Sequence, residues 1–141
     1  MWARAALARG DRVAATARDV ASLADLVTEF SDAVLPLRLD VSDKQQVTEA
    51  VATAREAFGR IDVVVNNAGY GLFGLVEDVT EEQARAQLDT NFFGTLWVTQ
   101  AVLPVLREQG SGHLLQVSSI AGIASLADGA STTPPSGRSR A

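Results

Sequence analysis

Asn66-Asn67-Ala68-Gly69 follows directly on a run of three valines, Val63-Val64-Val65. Side-chain amides at a strand end can both give and accept hydrogen bonds, and small residues let a flat ligand approach the backbone closely. In open α/β sheets ligands bind outside the carboxyl ends of strands, which makes this corner a candidate site. Asn and Gly are also ordinary turn residues, so the corner alone is no more than a turn. Three further groups sit where strand-like runs stop: Arg18 with Asp19, Asp40 with Val41, and the hydroxyls of Ser118 and Ser119. Asn91 stands within a helical pattern, where asparagine is mildly unfavourable and therefore conspicuous.

Composition removes other chemistries. The chain has 141 residues, room for one domain with a real core, and is 47% hydrophobic and 21% charged. A net charge of −5 argues against a nucleic-acid partner, which calls for a basic face. There is no cysteine and a single histidine, His113, so disulfides and thiolate metal sites are excluded and no metal site is expected. His113, at the start of a strand, is read as structural. No apolar run reaches the ~18 residues of a membrane helix, and no signal-peptide core is present. No membrane partner is expected, and the default expectation is a soluble cytoplasmic protein.

The elements that must position these groups alternate. Met1 to Arg9 reads as a helix ending at Gly10, and Arg12–Ala17 as a strand. Asp19 can cap a helix with Leu23, Leu26, Val27 and Phe30 at helical spacing. Val34–Leu39 is a second strand. Ser42 with Gln45 forms a capping box for a helix carrying Val47, Val51, Ala54 and Phe58 on one stripe, stopped by Gly59. The valine run has no polar alternation and is predicted to be buried on both faces. After a loop with Gly69, Gly71 and Gly74, a capping box at Thr80 and Gln83 opens a helix through Leu88, Phe92, Leu96 and Val102 to Gly110, with a kink or break at Pro104. His113–Val117 is a last strand. Such alternation predicts an α/β fold with a doubly wound parallel sheet and helices on both faces.

These landmarks resemble the short-chain dehydrogenase/reductase family, classical type, from Met1 to about Ala124. The resemblance is carried by Asp40-Val41 after a strand, Asn66-Asn67-Ala68-Gly69, Asn91 in Asp89-Thr90-Asn91-Phe92-Phe93-Gly94, and Ser118-Ser119-Ile120-Ala121-Gly122. It implies a Rossmann-type fold and hydride transfer between a nicotinamide cofactor and a small-molecule alcohol or ketone. By the same resemblance Asp40 bonds the adenine amino group with Val41 backing the ring, and Asn67, Ala68 and Gly69 line the adenosine and ribose. Asn66 braces the sheet through main-chain hydrogen bonds. Arg18 sits where the family reads the ribose: a guanidinium there would pair with a 2′-phosphate, which favours NADP, with NAD the alternative. Ser119 resembles the catalytic serine that steadies the substrate carbonyl oxygen, and Asn91 the asparagine that orders a water in the proton relay.

The family's Tyr-x-x-x-Lys pair, in which lysine lowers the tyrosine pKa, does not occur: the only tyrosine is Tyr70 and the only lysine Lys44. The family's first strand and Thr-Gly-x-x-x-Gly-x-Gly loop do not occur either. Residues 1–125 are therefore expected to form a partial domain. The fold is expected to be incomplete, lacking its first strand, which is the middle of the sheet, as well as its C-terminal strands, so that two strand edges go unpaired. Residues 126–141 lose all apolar periodicity and are expected to be disordered. Ser131 to Ala141 can be encoded so that a frame shifted by two bases reads Tyr-His-Ala-Ser-Lys-Trp-Ala-Leu-Glu-Gly, so the tail is expected to be out of frame. On this reading the chain is an inactive fragment of an oxidoreductase. A non-enzyme alternative is a truncated module pairing with intact relatives through the helix from Glu81 to Gln109, which resembles the family's dimerisation element. The family would suggest a homo-oligomer. An unrelated flavodoxin-like receiver is a third reading, against which the Asn-Asn-Ala-Gly and Ser-Ser corners count.

Overall fold

Good helix formers make helix α1, Trp2–Ala8, and Gly10 follows it with φ 91°, the left-handed value that favours glycine. The computed structural model describes residues 2–119. Strand β1, Val13–Ala17, lies within the expected span. Asp19 caps a 3-10 turn, Val20–Leu23, before helix α2, Ala24–Phe30, begins. Strand β2, Val34–Arg38, pairs parallel to β1, with Val13 opposite Val34 and Ala17 opposite Arg38.

Helix α3, Lys44–Phe58, begins one residue later than the expected box allows. Its N-cap is Asp43, not Ser42. Asp43 Oδ1 accepts the Gln45 and Gln46 N–H groups at 2.9 and 3.1 Å, while Ser42 turns back to bond Asp40. One carboxylate oxygen takes both main-chain donors and the other accepts Gln46 Nε2 at 2.8 Å, a set of three bonds that a single hydroxyl could not match. Val47, Ala50 and Ala54 form the buried stripe, and Gly59 ends the helix at φ 80°.

Strand β3, Val63–Asn66, and strand β4, His113–Gln116, form a second parallel pair. Among the described residues the sheet is thus two separate two-stranded pieces, β1-β2 and β3-β4. This overturns the expectation that the valine run is buried on both faces. Val64 packs against the core, whereas Val63 is 52% exposed and Leu115 on β4 is 47% exposed. No described helix covers that second face, so alternate side chains along β3 stay in solvent.

Helix α4, Glu81–Leu88, carries the expected capping box at Thr80 and Gln83. The helical pattern does not run on unbroken. It widens into a π-helical turn, Asp89–Gly94, before helix α5, Thr95–Gln109. The helix changes type at Asn91, while α5 runs unbroken through Pro104, which lies on an exposed position. A π turn inserts an extra residue and commonly marks a functional site.

Two cores follow. Leu39, Val47, Ala50 and Val98 join β2, α3 and α5, with Val64 and Trp97 packed against them. Leu7, Ala15 and Val34 join α1, β1 and β2 under Leu23, Leu26 and Phe30 of the α2 region. No helix among the described residues is long and apolar enough to cross a membrane. Residues 120–141, including Ile120-Ala121-Gly122 and the tail expected to be disordered, lie outside the described residues.

Candidate functional site

The π turn touches two of the corners the sequence singles out. Asn91 reaches the loop after β3: its Oδ1 accepts the Tyr70 N–H at 3.0 Å and its Nδ2 donates to the Tyr70 carbonyl at 2.8 Å. Gly69 lies so close that a Cβ on it would stand 3.2 Å from Asn91 Oδ1. Three residues further along, Gly94 abuts Val41 in the turn after β2. One helical irregularity therefore ties the Asn67-Ala68-Gly69 corner to the Asp40-Val41 corner.

Asp40 is held in place from two sides. Its Oδ1 accepts the Ser42 N–H at 3.0 Å and the Ser42 hydroxyl at 2.6 Å, and its own N–H donates to Gln46 Oε1 at 3.0 Å. The Ser42 hydroxyl, then the Ser42 main-chain N–H, hold the Asp40 carboxyl below the usual carboxylate range, and the Arg18 guanidinium adds to this. Arg18 directly follows β1, and Asp40 lies two residues beyond the end of β2. Arg18 is itself exposed. The Asp43 carboxyl is lowered too, by the main-chain and side-chain bonds from Gln46.

Beyond β4, the Val117 N–H donates to Asn66 O at 2.9 Å, which carries the chain past the Asn66 corner before it reaches Ser118 and Ser119. Both serines are exposed, and Ser119 already has a polar partner. The main-chain carbonyl of Asn66 braces the two strands as expected, but its side-chain Nδ2 is buried with no partner among the described residues. Tyr70 is pinned by its main chain and exposes its ring.

Three participants escape a reading of the sequence. Gln87, 2% exposed, donates Nε2 to the same Tyr70 carbonyl at 3.0 Å and leaves Oε1 without a partner. Its signal was available: it lies four residues before Asn91, hence on the same helical face. Trp2 Nε1 donates to Asn67 Oδ1 at 3.2 Å, drawing α1 against the corner. Thr95 Oγ1 donates to the Asn91 carbonyl at 3.1 Å. With the Asn91 side chain committed to Tyr70, that carbonyl is where this residue could hold a water. Among the described residues no cluster of His, Asp and Glu could hold a metal ion.

A family model described as short chain dehydrogenase matches residues 1–131. Oxidoreductase BOA17 of Botryotinia fuckeliana is 50% identical over 121 residues, which cover 85% of this chain and 44% of that protein. A solved short-chain dehydrogenase from Streptomyces avermitilis superposes with a TM-score of 0.84 at 40% identity, over 89% of this chain and 46% of that one. An alcohol dehydrogenase from the archaeon Thermococcus sibiricus, complexed with 5-hydroxy-NADP, gives 0.83 at 32% identity, over 90% of this chain and 55% of that one. The chain thus spans about half the length of the relatives it matches.

Proposed function

The chain belongs to the short-chain dehydrogenase family, and from that premise we propose that it is the cofactor-holding part of an NADP-preferring oxidoreductase acting on an alcohol or ketone. The observation that supports this most directly is the π turn Asp89–Gly94, which sets the Asp40-Val41 and Asn67-Ala68-Gly69 corners against one helix. A nicotinamide dinucleotide, when bound, supplies or takes the hydride.

The residues present fit such a cofactor. Both Ser42 bonds fall on Asp40 Oδ1, which leaves Oδ2 for an adenine amino donor, and the depressed pKa keeps the carboxylate an acceptor. Val41 backs the ring. Asn67, Ala68 and Gly69 line the adenosine and ribose, with the corner kept shallow where Gly69 has no Cβ to crowd Asn91. Arg18 pairs with a 2′-phosphate, and its exposure leaves its fork of donors open to do so. An NAD-specific site would place an acid there instead, and Asp19 next door keeps NAD as the alternative.

Ser119 steadies the substrate carbonyl oxygen by donating its hydroxyl, and Asn91 holds the loop at Tyr70 while its carbonyl orders a relay water. The proton donor is not among these residues. Tyr70 is followed four residues later by Gly74, not by a lysine that could lower its pKa. Cytoplasmic location belongs to the same reading. A second reading, a non-catalytic module pairing with relatives along Glu81–Gln109, draws on the exposure of Leu88, Phe92 and Phe93 there.

The test is a version of the chain extended at both ends to the length of its relatives, assayed for NADPH oxidation with a panel of aldehydes and ketones. Turnover is expected, and Ser119→Ala should lower kcat about 100-fold. Extended protein that folds yet oxidises no NADPH with any carbonyl, and binds neither NADP nor NAD, would leave the pairing module as the better account.

A further inference from the structure

Gly94 closes the π turn in ordinary right-handed helical geometry, with φ −56° and ψ −46°. Any residue adopts those angles, and alanine is the better helix former. What glycine provides here is space. A Cβ at this position would stand 2.6 Å from Val41 Cγ2, 2.9 Å from Val41 Cβ and 3.2 Å from the Val41 carbonyl oxygen. Neither wall yields easily. Val41 is β-branched and stiff, the carbonyl is main chain, and the turn around it is tied by the Asp40–Ser42 and Asp40–Gln46 bonds.

We infer that Gly94 is a positioning residue: by letting the π turn close on Val41 it sets the depth of the Asp40-Val41 shelf, and so selects for a flat purine there. The inference rests on the proposed reading of that shelf as the adenine site. A planar ring stacked on an aliphatic side chain requires that side chain at one height, while an amino group bonded to Asp40 requires the carboxylate at one angle. Both requirements pass through one turn of three residues, Asp40 to Ser42, and its far side is Gly94. A methyl group introduced at 94 would push Val41 outward and pull Asp40 from Ser42. The nicotinamide end would not be disturbed in the same way.

Gly94→Ala is to be compared with Gly94→Ala/Val41→Ala, which removes Val41 Cγ2, the atom of closest approach, while Val41 Cβ stays. In the chain as it stands, NMR should show the single variant displacing the Val41 methyl signals and raising the Asp40 pKa toward the ordinary carboxylate range. The double variant should return Asp40 toward its starting value. In the version extended to its relatives' length, Gly94→Ala should weaken AMP binding about tenfold and leave nicotinamide mononucleotide binding unchanged. Equal losses for both mononucleotides, an Asp40 that does not return in the double variant, or an Asp40 unmoved by Gly94→Ala would overturn the inference. If the parent binds no AMP while Asp40 still responds, the contact stands and it is the adenine reading that fails.

Discussion

Asn91 grips both polar atoms of the Tyr70 main chain, accepting the N–H at 3.0 Å and donating to the carbonyl at 2.8 Å. The pairing imitates one rung of a β-ladder with a side-chain amide, and it is what fixes the loop after β3. Asn91→Ala removes both bonds and is expected to cost about 1–2 kcal/mol. Urea unfolding should show the lower midpoint, and hydrogen exchange should show Gly69 to Gly71 opening first.

Gln87→Leu should behave differently, although Gln87 is the more buried of the two. The Tyr70 carbonyl keeps its bond from Asn91, and the substitution removes Oε1, a buried acceptor without a partner. Loss of one bond is offset by removal of an unmet polar atom, so a change within about 0.5 kcal/mol is expected. A midpoint shift as large as that of Asn91→Ala would show that Gln87 carries the loop.

The two half-sheets make a prediction that concerns single amides. Asp62 O and Asn66 O both accept from β4, so Val64 shares their edge while Val63 and Val65 direct their N–H groups the other way. Ala17 O accepts from Leu39, which sends Ala14 and Thr16 to the outer edge of β1 in the same manner. In the chain as it stands these four amides should exchange with solvent far faster than Val64 and Asn66. Equal protection along β3 would mean that a partner covers the open edge.

Acid should loosen the turn before α3. Asp40 and Asp43 both have folded pKa values lowered below the ordinary value, so what they add to stability is present above about pH 4 and is lost as pH falls through the lowered folded values. Ser42→Ala removes the hydroxyl bond that contributes most to the Asp40 shift and should raise its pKa. Titration of the two carboxyl carbons by NMR reads both effects. An Asp40 titration unmoved by Ser42→Ala would leave the shift to the Ser42 main-chain N–H, which the substitution keeps, with Arg18 adding to it.

How much of this could be read beforehand follows the range of the forces involved. The order of strands and helices, the Thr80 box and the Gly59 stop are local, and each was legible within one or two turns of chain. The Asp43 cap was missed because two neighbouring residues compete for the same amides and only their relative geometry decides. The exposure of Val63 was missed because a run of valines reports what a strand prefers, not whether a helix lies over it. Asn91 and Asp40 stood out by residue type and position. Gly94 did not, because the close approach it permits is to Val41, fifty-three positions away.

The tail makes a claim about bases. Across Ser131 to Ala141 the coding DNA is expected to contain, shifted by two bases, a frame reading Tyr-His-Ala-Ser-Lys-Trp-Ala-Leu-Glu-Gly. Sequencing that stretch decides it: without tyrosine and lysine codons four apart in that frame, the tail is native sequence.

On the proposed reading, cofactor choice turns on Arg18. It directly follows β1 and is exposed, and its charge adds to what holds the Asp40 carboxyl low. A cation in that setting gains little from a neighbouring carboxylate across solvent and much from a phosphate that it can grip through two parallel bonds. In the version extended to its relatives' length, NADP should therefore bind more tightly than NAD. Arg18→Asp should reverse the order, because a carboxylate repels the 2′-phosphate and accepts from a 2′-hydroxyl. Each change of preference by a factor of ten corresponds to about 1.4 kcal/mol, just below the ~1.5–3 kcal/mol of a hydrogen bond to a charged group. Calorimetric titration of both cofactors against both variants measures the ratio directly. A ratio that Arg18→Asp leaves unchanged would make Arg18 a solvated side chain and pass the choice to Asp19.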